Sequence, residues 1–296
     1  MGRELAEAFP ECRAVFESAD RTLGVDLSGA CFDGTAEELA RTETTQPAVL
    51  TVSIAALRAL EARGLRPVAA AGHSLGEYAA HVAAGTLSFD DAVRCVRERG
   101  RFMQDAVPLG VGAMAAIVGL PVDRVAGVCR DSARNDVVQP ANLNGPDQVV
   151  IAGHAAAVER AIVLALATGA RRALRLPVSA PFHCALMEPA ARRLAPVLDS
   201  IEFRDPAFDV YVNADAGPVR AGAAARAALV RQVASPVRWH ELVNAMIADG
   251  IDTFVEIGPG RVLAGLVRRI QRRARIWSVG DPAGVAEVVD VLGAAA

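Results

Sequence analysis

The stretch Gly72-His73-Ser74-Leu75-Gly76 sets a serine between two flanking glycines, with an apolar run (68–71) before it and a helix-forming run after it. A G-x-S-x-G pattern at a strand-to-helix turn has a mechanical purpose. The sharp turn lifts the serine Oγ clear of the sheet, and the small flanking residues let neighbouring backbone approach. The helix that follows offers free N–H groups to a developing oxyanion, the first being that of Leu75. Taken alone, the pattern also arises as a glycine-rich turn in an alanine-rich chain, so a catalytic reading of Ser74 requires a base and a substrate-binding group elsewhere.

Five histidines could supply the base: His73, His81, His154, His183 and His240. His73 is next to the serine in sequence and is read as a packing residue. His81 falls on the helix after the turn, as a core or surface group. His154 follows a strand end and caps or decorates the next helix, and His240 sits beside Trp239 at a helix start. His183 differs, because Pro181-Phe182-His183 ends a strand where the chain returns to its main body. Strand ends facing a sheet crevice are where α/β folds place their sites, so His183 is the leading candidate.

Arg99 gives the most informative pattern. On a helix over 90–106, Ala92, Cys95, Val96, Phe102, Met103 and Ala106 form one face, and Arg94, Glu98, Arg101 and Asp105 form the other. Arg99 falls in the middle of the apolar face. Such an arginine either snorkels or joins a structural ion pair, or it awaits an anion. A substrate carboxylate suits the guanidinium fork, which binds it through two parallel hydrogen bonds. Asn142-Leu143-Asn144-Gly145-Pro146 reads as a turn whose two amides either serve the turn or touch substrate. Glu256-Ile257-Gly258-Pro259-Gly260 reads as a strand running into a turn. The arginines 268, 269, 272, 273 and 275 read as a helix face, solvated or docking an acidic partner.

The elements that must position these groups alternate. Helices are expected over 2–23 (limited by Pro10), 36–41, 47–64 with Pro47 at the start, 76–84 and 90–106, with a short buried strand over 68–71. The texture changes near Gly110. Strands over 113–118, 149–152 and 173–178, with helices over 122–133 and 154–167, give a βαββαβ-like order of the ferredoxin-like kind. Alternation then resumes with helices over 185–198, 223–234 and 239–249 and strands over 209–213 and 253–257. The expected fold class is α/β: a mostly parallel, doubly covered sheet interrupted by a small α+β insert.

Bulk properties narrow the function classes. The chain has 296 residues, 52% hydrophobic and 22% charged, which is globular rather than disordered. A formal net charge of -3 gives no reason to expect nucleic acid as a partner. There is no lysine, so any anion site must use arginine, backbone N–H groups or helix N-termini. The cysteines, Cys12, Cys31, Cys95, Cys129 and Cys184, are scattered, odd in number and without a C-x-x-C, so neither a disulfide framework nor a metal site is expected. No apolar run is long enough to span a membrane, and the first ten residues lack the order of a signal peptide. A cytoplasmic protein is expected.

The motifs together resemble the malonyl-CoA:acyl carrier protein transacylases, the acyltransferases that load fatty-acid and polyketide synthesis. The resemblance runs almost end to end and is carried by TTQPAVL (44–50), GHSLGEYAA (72–80), RERGRFMQDAVP (97–108), GAMAAIVGL (112–120), ANLNGPDQVVIAG (141–153), LPVSAPFHCALMEPAA (176–191), SPVRWHE (235–241) and EIGPGRVL (256–263). It implies an α/β-hydrolase-like core over 1–109 and 178–296, with a ferredoxin-like subdomain over 110–177. It implies Ser74 as the acyl-accepting nucleophile, His183 as general base, Arg99 as the grip on the malonyl carboxylate and the Leu75 N–H as an oxyanion donor. It further implies that a backbone carbonyl, at Gln232, holds the histidine in place of a triad acid, and that Phe182 resembles the malonyl-selecting form of its motif. No permanently bound cofactor or metal is implied. Malonyl-CoA is the implied donor, the phosphopantetheine arm of an acyl carrier protein the implied acceptor, and the implied state is a monomer.

One departure accompanies the resemblance. The family begins with a strand and a Gly-Gln-Gly-Ser-Gln loop whose second glutamine supplies the other oxyanion N–H. Met1-Gly2-Arg3-Glu4-Leu5 resembles the helix after that loop, and the expectation is a start placed at an internal Met, or a trimmed chain. Two other readings are carried alongside: a serine esterase or thioesterase, and an inactive acyltransferase-like docking module.

Overall fold

A computed structural model describes residues 1–293 of the chain. The first half is helical around one short strand: α1 (Arg3–Ala8), α2 (Pro10–Leu23), α3 (Leu27–Asp33), α4 (Ala36–Ala40), α5 (Thr42–Glu61), β1 (Ala69–Ala71), α6 (Gly76–Ala83) and α7 (Phe89–Asp105). Next come β2 (Gly112–Val118), α8 (Val122–Ala133), β3 (Val138–Gly145), β4 (Gln148–His154), α9 (Ala155–Ala167) and β5 (Arg172–Arg175). The remainder is α10 (Glu188–Asp199), β6 (Asp209–Val212), β7 (Gly217–Val219), α11 (Gly222–Gln232), α12 (Trp239–Ala248), β8 (Thr253–Ile257), α13 (Val262–Ile270), β9 (Arg275–Val279) and α14 (Pro282–Gly293).

The parallel strands pair as β1 with β6 and as β8 with β9, while β7 joins β6 antiparallel. These form two small sheets rather than the single sheet expected from the alternation. An apolar cleft of about 390 Å³ lies between them, bordered by Ala69, Ala71, Phe254, Val255 and Ile257. Strands β2 to β5 form a separate antiparallel sheet in the order β3-β4-β2-β5, with α8 and α9 packed on it. Its own apolar cluster includes Ile117, Val125, Val149, Ile151, Val158 and Ala161.

Helix α5 is the axle of the larger core, with every residue from Gln46 to Leu57 except Val49 buried. It starts five residues before Pro47 rather than at it. A proline inside the helix forgoes one backbone hydrogen bond, and burial on nearly all sides of α5 outweighs that loss. Helix α7 is capped by Ser88, whose Oγ accepts the Asp91 N–H at 3.1 Å. It packs so tightly on α5 that a Cβ on Gly100 would stand 2.5 Å from the Thr42 carbonyl oxygen. That close approach brings Arg99 of α7 beside Gln46 of α5.

Two sequence expectations need correction here. Asn142 and Asn144 lie in a strand, not in a turn; β3 carries register shifts at Pro140/Asn142 and Leu143/Gly145, and these irregularities accommodate residues that ordinarily mark turns. The basic run is also not one helix face. Arg268 and Arg269 close α13, Arg272 and Arg273 lie in the turn that follows, and Arg275 opens β9.

Candidate active site

Chain leaving β1 must reverse into α6 within four residues, and this turn places Ser74 at φ 52°. A residue with a side chain is seldom found in that left-handed region. Glycine is required beside it: a Cβ on Gly72 would stand 1.9 Å from the Gly76 carbonyl carbon. His183, on the segment between β5 and α10, is also left-handed, at φ 60°. The two strained residues meet, with Ser74 Oγ 2.7 Å from His183 Nε2.

The far side of the imidazole fixes its tautomer. His183 Nδ1 lies 3.0 Å from the Gln232 carbonyl oxygen, which can only accept, so Nδ1 carries the hydrogen. Nε2 therefore presents its lone pair to the Ser74 hydroxyl. Burial, followed by the positive charge of Arg99, pushes the His183 pKa down to about 3, against the opposing pull of the Gln232 carbonyl. The imidazole is thus neutral and ready to take a proton at any ordinary pH.

Arg99 points into the same cavity and is only 2% exposed. One terminal nitrogen donates to Gln46 Oε1 at 2.7 Å; the other donates to Gln232 Oε1 at 2.9 Å and to Ser74 Oγ at 3.0 Å. Its Nε is buried without an acceptor, and no carboxylate forms an ion pair with it among the described residues. The Tyr78 ring lies 5.6 Å from the guanidinium carbon. Burial holds the Arg99 pKa below its ordinary value. Here is a cation held by neutral partners with a donor to spare, beside a serine hydroxyl and a neutral imidazole.

The other sequence-designated residues fall at different distances from this centre. The Leu75 N–H lies at the mouth of α6 and is not bonded to any acceptor among the described residues. Asn144 reaches the site through His73, with its Oδ1 2.9 Å from His73 Nε2, while the His73 ring packs 5.6 Å from that of Trp239. Asn142 is buried where β3 bridges to Val237, and no hydrogen bond ties it to Ser74 among the described residues. Phe182 packs against the large core and against the Met114–Ala152 face of the small sheet. His154 occupies the N-cap position of α9 without a side-chain cap, its Nδ1 instead accepting the Val137 N–H at 2.9 Å, and His81 is buried in α6.

Four contributions had no place in the sequence reading. The Gln232 side chain, besides its carbonyl, bridges Arg99 and Ser74, its Nε2 donating to the Ser74 carbonyl at 2.9 Å. Gln46 fixes the guanidinium, as above. Asn213 and Glu77 grip the backbone around Ser74. Gln46 is the largest of the three polar residues buried on α5, beside Thr51 and Ser53, and that was the signal available for it; Asn213 at the end of an apolar strand was a comparable signal.

Known proteins align with this geometry over almost the whole chain. The family described as "Acyl transferase domain" matches residues 1–289. A malonyl CoA-acyl carrier protein transacylase of Bacillus subtilis is 47% identical over 293 residues, covering 99% of this chain and 92% of that protein. The transacylase of the same name from Escherichia coli K12 is 47% identical over 289 residues, 97% of this chain and 94% of that one. Among solved structures, the malonyl CoA-acyl carrier protein transacylase of Coxiella burnetii superposes with a TM-score of 0.96 at 43% identity, covering 98% of this chain and 92% of that one. A type II PKS acyl-carrier protein in complex with its malonyl-transacylase gives 0.96 at 46% identity, over 98% and 94%.

Proposed function

The chain belongs to the acyl transferase family, and we propose that it acts as a malonyl-CoA:acyl carrier protein transacylase with Ser74 as the residue that carries the malonyl group. The observation that supports this most is the Ser74 Oγ, shared between His183 Nε2 at 2.7 Å and the Arg99 guanidinium at 3.0 Å. One contact takes the hydroxyl proton, and the other belongs to a cation without a carboxylate partner.

The reaction runs in two halves. His183 Nε2 takes the Ser74 proton as Oγ attacks the thioester carbon of malonyl-CoA, and the carbonyl oxygen becomes an oxyanion facing the Leu75 N–H. As the intermediate collapses, the C–S bond breaks and coenzyme A leaves as a thiol with the proton from His183. In the second half the phosphopantetheine thiol of the carrier protein gives its proton to His183 and attacks the seryl ester. The malonyl thioester forms, and Ser74 regains its proton. Among the described residues no Asp or Glu touches the imidazole. The Gln232 carbonyl performs the orienting task by accepting the Nδ1 hydrogen.

Arg99 gives the specificity. A malonyl carboxylate supplies the anion that the buried guanidinium lacks, using the unpaired Nε. An acetyl group leaves that cation unpaired, and a site built for a polar group penalises the analogue that lacks it. In this reading residues 110–177 form the smaller subdomain, whose Asn144 braces His73 beside the nucleophile. Asn142 and Phe182 line the approach from the same side. The protein works as a monomer in the cytoplasm, where five buried free thiols are at home, and takes its acceptor arm from the carrier protein. A serine hydrolase would pass the acyl group to water. The test is transfer from radiolabelled malonyl-CoA with and without a holo acyl carrier protein. Label on the carrier protein supports the proposal, and release of free malonate at the same rate in both arms overturns it.

A further inference from the structure

Ser74 is held in a strained conformation, and the catalytic groups do not account for what holds it. The parallel ladder between β1 and β6 ends at the pair Ala71 and Tyr211. Beyond that rung the chain bends away into the turn, and backbone can no longer pair with backbone. Asn213 stands just past the end of β6, with no exposed surface. Its Nδ2 donates to the Gly72 carbonyl at 2.7 Å, and its Oδ1 accepts the Ser74 N–H at 2.6 Å. One side-chain amide thus gives residues 72 and 74 the donor and acceptor that the next rung of a parallel ladder would have provided.

Glu77 closes the arrangement from the helix side. It is also fully buried, and its Oε2 accepts the Asn213 backbone N–H at 2.7 Å. Its own N–H donates to the Ser74 carbonyl at 3.1 Å, so the chain of bonds runs from Ser74 through Glu77 to Asn213 and back to Ser74. Such a ring fixes both peptide groups of the nucleophile. Holding a reacting atom in place matters because a shift of about 1 Å can cost roughly a hundredfold in rate.

We propose that Asn213 and Glu77 are positioning residues, a side-chain clamp that replaces the missing rung of the β1–β6 ladder and keeps the Ser74 Oγ aimed at His183. The proposal rests on Ser74 being the nucleophile. It does not depend on which acyl donor the serine meets. Burial pushes the Glu77 carboxyl up to about 7, against the pull of the Gln232 amide, the Asn213 N–H and the Arg99 charge. The contact Glu77 must make is acceptance of one N–H, which a neutral amide oxygen can also do. Glu77→Gln should therefore retain what Glu77→Leu loses.

The test reads the reactivity of Ser74 directly, with a fluorophosphonate probe that labels activated serines, on the full chain and on variants whose folded fraction is fixed by thermal unfolding. Labelling of Asn213→Leu is expected to slow about a hundredfold. Glu77→Leu is expected to slow about tenfold, and Glu77→Gln to recover to within about threefold of the unchanged chain. In malonyl transfer the same losses should fall on kcat, with KM for malonyl-CoA unchanged, because neither residue touches the donor. Folded Asn213→Leu that labels at the original rate overturns the clamp, as does a Glu77→Gln variant no faster than Glu77→Leu. If Asn213→Leu does not fold, the two Glu77 variants decide alone. An unchanged chain that takes the probe but transfers no malonyl refutes the transacylase reading and leaves the clamp standing. An unchanged chain whose Ser74 takes no probe overturns the clamp.

Discussion

Two histidines are buried, and in the proposed mechanism only one of them has chemistry to do. His183 and His81 are both nearly inaccessible, and burial lowers both pKa values, to about 3 and about 4. The difference lies in their partners. His183 has the Gln232 carbonyl on Nδ1 and the Ser74 hydroxyl on Nε2, whereas neither ring nitrogen of His81 finds a partner among the described residues. Burial makes an imidazole neutral; a fixed acceptor on one nitrogen and a proton source on the other make it a base. The surroundings differ in kind. Around Ser74 the amides of Gln46, Asn213 and Gln232 are all engaged, although Arg99 Nε, Glu77 Oε1 and the Tyr78 hydroxyl lack partners among the described residues. Next to His81 the Thr86 hydroxyl is left without one, again among the described residues.

The contrast is sharpest under deletion. Replacing His183 by alanine removes the proton acceptor, and seryl acylation should fall by roughly a thousandfold or more, at the upper part of the range for general-base catalysis. Replacing His81 by leucine should change the acylation rate by less than about twofold. A large rate loss in the His81 variant, once corrected for folded protein, would erase the distinction.

Arg99→Ala comes next in size. Loss of one partner from a buried charge pair typically costs about 3–5 kcal/mol, so malonyl transfer should fall roughly a hundred- to several thousandfold. Acetyl transfer should fall much less, or rise relative to malonyl. Competition between the two thioesters measures this directly, and equal losses would remove the carboxylate grip from the account.

The pH dependence is a smaller effect with an unusual sign. An imidazole lowered from its ordinary value stays unprotonated far into acid, so the acid limb of kcat/KM for malonyl-CoA should lie well below pH 6, towards the value of about 3 for His183. The stability linkage separates the histidines from Glu77. Between the folded values and about 6.5, unfolded His183 and His81 bind more protons than folded ones, so their contribution to stability is present above 6.5 and lost as pH falls. Glu77 runs the other way: with its folded pKa raised to about 7, its contribution is present below its ordinary 4.5 and is lost as pH rises through 7. Denaturant unfolding should therefore show the Glu77→Gln variant gaining on the unchanged chain between pH 4.5 and pH 8, by at most about 3 kcal/mol.

The smallest effect concerns the orphaned nitrogens. Filling the His81 site with leucine removes two unsatisfied polar atoms, and the variant should be more stable than the parent at neutral pH by about 1 kcal/mol.

The sequence carried the chemistry further than it carried the scaffold. Ser74 was legible from a local pattern, and Arg99 from helical periodicity, because each signal is confined to a few turns of chain. His183 was singled out from four other histidines by an expected strand end, and that local reading is corrected: β5 stops at Arg175 and His183 sits in the irregular segment that follows. The clamp on Ser74 was not legible: Asn213 at the end of an apolar strand is a local oddity, but it is 139 residues from Ser74 and 136 from Glu77, and nothing local names a partner across such a span. The Gln232 side chain was missed for the same reason, although its carbonyl was implied by resemblance. The stretch 142–146 reads as a turn because asparagine, glycine and proline ordinarily mean one, and the pairing of β3 with β4 overrides that preference as far as Gly145. Alternation along the chain anticipated the α/β class, but the division of the parallel strands into two sheets depends on which edges meet in space.

The central claim is that Ser74 carries the malonyl group. Rapid mixing with malonyl-CoA, acid quenching and peptide mass analysis tests it directly. A malonyl adduct is expected on the peptide containing Ser74, absent in Ser74→Ala and discharged when holo acyl carrier protein is added before the quench. No adduct on Ser74 in the folded, unchanged chain, or an adduct that persists in Ser74→Ala, would contradict it.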